Sequence, residues 1–153
     1  MSFAIKKVSA NSEEIKILSD ELYQELEKMY GKGLIEEFAE ENKQMLIFYA
    51  AFDDLGKAVA CGALKHFNET TAEIKRMYVK PNYRGRGVSK KILTQLEDYA
   101  RELNYQRLVL ETGLKQPEAM SLYHKYGYRP LKCYGRHADD PDSRCFEKQL
   151  IGE

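Results

Sequence analysis

Residues 82–93 read NYRGRGVSKKIL. Glycine at 85 and 87 lets main-chain N–H groups turn with positive φ and approach an anion closely. The apolar, lysine-rich run that follows predicts a helix from Val88, whose first N–H groups and partial positive end add to the same pull. Arg84, Arg86, Lys90 and Lys91 surround the turn with charge. These residue types at this spacing suit a phosphate cradle; the alternative is a plain basic turn between strand and helix. Two common cradles do not fit. A P-loop needs its glycines five residues apart, followed by Lys and Ser or Thr. The dinucleotide fingerprint needs glycine where Lys90 stands, and this loop lies mid-chain.

The elements that must position this turn follow from periodicity. FAIKKVS alternates as a strand, and Ile15, Leu18, Leu22, Leu26 and Met29 mark a helix over 12–30. LIEEFAEEN predicts a second, acidic helix. QMLIFYAAF and AVACGALKHF predict a hairpin around DDLGK, and TAEIKRMYV a further strand ended by Pro81. Val88, Ile92, Leu96, Tyr99 and Leu103 make one stripe of the next helix, closed by Asn104. QRLVLET is another strand. Pro117 suits the start of a helix and Gly127 its exit, with Ala119, Leu122, Tyr123 and Tyr126 on one face. YRPLKCY and SRCFEKQL predict two last strands around a polar loop, YGRHADDPDS. The order predicts an α/β (α+β mixed) fold, a mixed sheet with helices on both faces. The length of 153 residues predicts a single domain, 1–153.

Three segments, in order, resemble the GNAT superfamily of N-acetyltransferases. Arg84-Gly85-Arg86-Gly87-Val88-Ser89 is similar to its acetyl-coenzyme-A signature, Gln/Arg-x-x-Gly-x-Gly/Ala, with Ser89 departing at the last position. EIKRMYVKP resembles the strand before that loop. QPEAMSLYHKYGY resembles Asn-x-x-Ala-x-x-Leu-Tyr-x-x-x-Gly-Phe, departing at Gln116 and Tyr128. The resemblance runs from about residue 45 to 150 by order of elements. It implies a central, mostly antiparallel sheet of about seven strands. It also implies acetyl-CoA as cosubstrate, held by Met77, Tyr78, Val79, Arg84, Gly85, Arg86, Gly87, Val88, Ser89, Lys90 and Gln116. Loop amides would grip the pyrophosphate, and the pantetheine arm would pair with backbone where the strand at Met77–Val79 splays from 108–112.

The implied chemistry is acetyl transfer to a primary amine by direct attack. The amine must lose a proton, the oxyanion needs a donor, expected at a backbone N–H near Val79, and the thiolate needs a hydrogen bond. Tyr123 matches the family's tyrosine for the thiolate. Glu73 is a candidate base, expected to share a face with Lys75 and Met77, and Glu111 is the runner-up; a water relay is the alternative. His66, His124 and His137 read as surface residues.

Lys+Arg and Asp+Glu are both 24, so net charge is zero, which argues against a general nucleic-acid binder. No run approaches the ~20 apolar residues of a membrane span. Cys61, Cys133 and Cys145 are odd in number, without metal-ligand spacing, and are expected reduced in a cytoplasmic protein that needs no metal. The acceptor is expected against the early acidic helices (Glu25, Glu27, Glu36, Glu37, Glu40, Glu41) and the 134–143 loop, as a small-molecule amine or amino acid. Terminal strands offer edges for a homodimer. Two rival readings are a non-catalytic acyl-CoA-binding or sensing module and a regulatory domain for another nucleotide.

Overall fold

Ser12 starts the first helix: its hydroxyl accepts from the Ile15 N–H at 3.3 Å. The computed structural model describes residues 2–31 and 41–150. Strand β1 (Ala4–Val8) precedes that helix, α1 (Glu13–Tyr30), and then come β2 (Ile47–Phe52), β3 (Ala58–Asn68) and β4 (Thr71–Val79). Helix α2 (Val88–Glu102), β5 (Arg107–Gly113), α3 (Pro117–Lys125), β6 (Arg129–Leu131) and β7 (Ser143–Gln149) complete the order. Of the expected acidic helix LIEEFAEEN, only Glu41 and Asn42 lie among the described residues.

The seven strands form one sheet, β1-β2-β3-β4-β5-β7-β6, in which only β4 and β5 run parallel. Helices cover both faces, as expected. On one face α1 buries Ile15, Leu18 and Leu22 against Phe48, Cys61, Ala63 and Tyr78. On the other, Val88, Ile92, Leu93 and Leu96 of α2 pack with Ala60, Leu64, Ile74 and Val79. The expected stripe of α2 needs a correction at its end. Leu103 is 43% exposed, because the helix closes at Glu102, and Ala100 takes the core position instead. On α3 only Tyr123 of the expected face is fully buried.

The cysteines also need correcting. Cys133 and Cys145 are joined in a disulfide, closing a loop with a sequence separation of 12. Cytoplasmic location therefore draws no support from reduced thiols. Cys61 alone is free, and burial pushes its thiol up to about 12. No helix among the described residues is long and apolar enough to cross a membrane.

One irregularity in β4 sets the site. Cys61 faces Tyr78 while Ala63 faces Lys75, so β4 uses one more residue than β3 over that stretch. The extra residue is a bulge at Arg76, φ 61. Side-chain alternation reverses there. Ala72 and Ile74 face α2, and so do Met77 and Val79. Glu73, Lys75, Arg76 and Tyr78 face the α1 side. The expectation that Met77 shares a face with Glu73 is therefore wrong: the bulge puts it on the opposite one.

The bulge is held by a polar cluster. Arg76 Nε donates to Asn42 Oδ1 at 2.9 Å and Nη2 to Glu41 Oε1 at 2.5 Å. Asn42 Nδ2 donates on to Ser19 Oγ of α1 at 3.1 Å. Lys65 and Lys75 reach Glu41 Oε2 at 3.0 and 3.5 Å. Burial pushes the Glu41 carboxyl up, but the Arg76 hydrogen bond, Lys75 and Lys65 outweigh it and hold the group down at about 2.

Candidate active site

β4 and β5 pair only at Thr71–Arg107, Ala72–Leu108 and Glu73–Val109. Beyond Glu73 they part, β4 staying with β3 and β5 with β7 as far as Gly113–Ser143. The result is a fork with Glu73 at its apex. Lys80 N–H donates to Val59 O at 2.9 Å, and Val79 faces Ala60 one step back. Polar groups of successive residues point to opposite sides of an antiparallel strand, so those of Val79 point into the fork. Arg84 Nε donates to the Val79 carbonyl at 2.8 Å, while the Val79 N–H stays directed at the gap.

The glycine loop sits at the mouth of the fork. A 3₁₀ turn, Pro81–Tyr83, leads into Gly85 (φ 78) and Gly87 (φ 79), both left-handed. Gly87 is the N-cap of α2, and no side chain caps that helix, which leaves its first N–H groups for something else. Arg84 is occupied elsewhere. Its Nη2 donates to Glu25 at 2.7 Å, its guanidinium lies 5.7 Å from the Tyr78 ring, and its N–H donates to Pro81 O. Arg86 stacks over Tyr83 and Lys90 over Tyr126, at 5.5 and 5.1 Å.

Tyr123 approaches the fork from the α2 side. Its ring packs on Tyr128 and Phe146, with centroids at 5.6 and 6.1 Å. It is 5% exposed, and its hydroxyl has no hydrogen-bond partner among the described residues. Burial, then the charge of Glu111, raises its pKa above 10.0. Gln116 ties the end of β5 to α3: its Oε1 accepts from Gly113 N–H at 3.1 Å and Thr112 Oγ1 at 3.4 Å. Tyr30, the last residue of α1, reaches the same oxygen at 3.5 Å and accepts from Lys115 N–H at 3.2 Å.

The opposite face of the fork carries the carboxylates. Glu73, 8% exposed, accepts from Tyr134 Oη at 2.9 Å. Glu111 accepts from Ser143 Oγ at 2.8 Å, and His137 Nδ1 lies 3.8 Å from the same oxygen. Tyr134 and His137 meet edge to face, with centroids 6.1 Å apart. Burial, then Glu73, raises the Tyr134 hydroxyl's pKa. The structure thus brings both suspected carboxylates to one chamber and puts Tyr123 and Met77 across the sheet from it. Sequence reasoning missed Tyr134 and His137 as their partners. The polar loop marked a wall, but only the fold and the disulfide bring it over Glu73 and Glu111. Among the described residues no group of three or more His, Cys, Asp or Glu is placed to hold a metal ion.

Comparison with known proteins agrees with this geometry. The model of the acetyltransferase (GNAT) family matches residues 13–128. An IAA acetyltransferase of Azospirillum brasilense is 38% identical over 96 residues, covering 62% of this chain and 63% of that protein. The match therefore spans less than two thirds of that relative. The solved structure of a candidate acyl-CoA N-acyltransferase from Klebsiella pneumoniae superposes with a TM-score of 0.83 and 30% identity, covering 97% of this chain and 98% of that one. The PaiA N-acetyltransferase of Thermoplasma acidophilum, solved in complex with coenzyme A, shares the fold at a TM-score of 0.73 and 21% identity, covering 97% and 99%. The chain belongs to the GNAT acetyltransferase family.

Proposed function

We propose that this chain, acting as one domain, moves an acetyl group from acetyl-CoA to the primary amine of a small molecule or amino acid by direct attack in a ternary complex. The observation that carries this reading is the fork: parallel pairing stops at Glu73–Val109, and an uncapped helix start preceded by two left-handed glycines stands at its mouth. The coenzyme complex of the Thermoplasma relative supports the same ligand. Amides from Gly85 to Lys90 hold the pyrophosphate, with Arg86 and Lys90 adding charge and Arg84 bracing the loop against α1. Backbone of Met77, Tyr78 and Val79 lines one arm of the fork, where the Val79 N–H is aimed to receive the oxyanion. Tyr123 holds a hydroxyl free for the leaving thiolate. A free tyrosine at about 10 and a thiol at about 8.5 make full proton transfer uphill by roughly 2 kcal/mol, so it acts as a positioned donor. Glu73 and Glu111 line the acceptor side, and Gln116 shapes the α3 end.

The test is thiol release from acetyl-CoA against a panel of amino acids, polyamines and aminoglycosides, run beside thermal unfolding. Ligand at about 100 Kd stabilises by roughly 2.7 kcal/mol. Stabilisation with thiol release supports a transferase; stabilisation without release from any amine makes the chain a binding module instead.

A further inference from the structure

We propose that His137 takes the proton from the acceptor's ammonium group, with Glu111 as the positioning residue that orients the imidazole. This rests on the transferase reading and adds a residue the sequence assigned to the surface. His137 Nδ1 stands 3.8 Å from Glu111 Oε2, its side chain 17% exposed. The opposite edge of that pairing is fixed, because Ser143 Oγ donates to the same Glu111 oxygen at 2.8 Å. The loop bearing His137 is fastened at Cys133–Cys145, and Cys145 lies directly opposite Glu111 in the β5–β7 register. Tyr134, next to His137, is anchored to Glu73 at the apex. Five groups, Glu73, Glu111 and Ser143 from three strands and Tyr134 and His137 from one loop, therefore converge on the acceptor side of the fork.

The chemistry favours imidazole over either carboxylate. Carboxylates as a class lie about six pKa units below a lysine-like ammonium, imidazole about four, and a base works best near the operating pH. Glu73 and Glu111 each already accept a hydroxyl hydrogen. Imidazole has a second nitrogen to turn to the substrate while Nδ1 faces Glu111. The proton balance closes. The ammonium gives one proton to His137, and the neutral nitrogen forms the C–N bond while the C–S bond breaks. The second nitrogen proton ends on the thiol, and His137 returns its proton to water.

Charged and titratable groups around His137 are Glu111 on β5 and Tyr134 on its own loop, with Glu73 on β4 and Arg107 on β5 reaching Tyr134, and the adjacent Arg136 and Asp140 on the loop. The test is kcat/KM against pH for wild type, His137→Gln, His137→Ala and Glu111→Gln, with the amine from the panel that releases thiol fastest. Unchanged stabilisation by acetyl-CoA certifies the fold of each variant. The expected result for His137→Gln is a loss of roughly a hundredfold near pH 7 that shrinks as pH rises toward the amine's own pKa. Added imidazole restores rate to His137→Ala, and Glu111→Gln lowers kcat about tenfold with the KM for the amine unchanged. A His137→Gln profile parallel to wild type, or no imidazole rescue, overturns the proposal while the transferase reading stands. No thiol release from wild type with any amine overturns both.

Discussion

Replacing Glu41 by Gln keeps the shape of the cluster under the β4 bulge and removes its negative charge. The magnitude follows from the carboxyl's displacement, from 4.5 to about 2. Two and a half units correspond to a ceiling of about 3 kcal/mol, at 1.36 kcal/mol each. The side chain keeps 18% of its exposure, so solvent screening reduces this, and we expect about 2 kcal/mol. The sign is that of a depressed carboxyl. The folded state holds the proton less tightly than the unfolded one, so the stabilisation is complete above about pH 5 and is lost as pH falls toward 2. Urea unfolding of wild type and Glu41→Gln should therefore differ by about 2 kcal/mol at pH 7, by under half of that at pH 3, and by only tenths at pH 2. A gap that stays constant from pH 7 to pH 2, or no gap at pH 7, would show that charge on Glu41 does not hold the bulge.

Tyr123→Phe should slow turnover about ten- to a thousandfold with acetyl-CoA binding unchanged, measured by thiol release and thermal shift; an unchanged rate removes the hydroxyl from the mechanism. Gly87→Ala meets no atom within 4 Å but keeps φ 79, so we expect about 1 kcal/mol of backbone strain and weaker stabilisation by acetyl-CoA. Gly113→Ala would put its Cβ 1.7 Å from Tyr30 Oη. It should cost about 1–3 kcal/mol, and a double-mutant cycle with Tyr30→Ala should recover most of that. Cys133→Ser should lower stability by about 2–3 kcal/mol in non-reducing urea melts, with wild type matching it once a dithiol is added.

Much of the frame was legible because local chemistry agreed with the final packing. The turn at Gly87, the first helix and the strand–loop–helix order fell where the sequence put them. The departure at Tyr128 also has a reason in the fold. Its hydroxyl donates to Glu97 at 2.7 Å, and Lys148 reaches the same carboxylate at 3.1 Å, so a polar tip and a salt bridge occupy the base of α2. A phenylalanine there would leave Glu97, 8% exposed, without its hydroxyl donor. Glu97 lies 31 residues from Tyr128 and 51 from Lys148, and no window of sequence contains all three.

The acceptor side was illegible for a sharper reason. Strand alternation assigns faces by counting in twos, and one inserted residue reverses every assignment beyond it. Nothing about Arg76 as a residue type announces a bulge; a non-glycine at φ 61 is unfavourable in isolation. It persists because Glu41 and Asn42, more than thirty residues earlier in the chain, accept from its guanidinium, with Lys65 and Lys75 holding Glu41 in place. The same bulge lets β4 leave β5 while staying paired with β3, and it turns Met77 and Val79 toward α2 while Glu73 stays with Tyr134. A cluster that reads in sequence as scattered surface charge thus puts Met77 and Val79 on one face of the fork and Glu73 on the other, the faces proposed for coenzyme and acceptor. If straightening β4 by removing this cluster left acetyl-CoA binding and turnover both intact, the fork would owe its shape to something else.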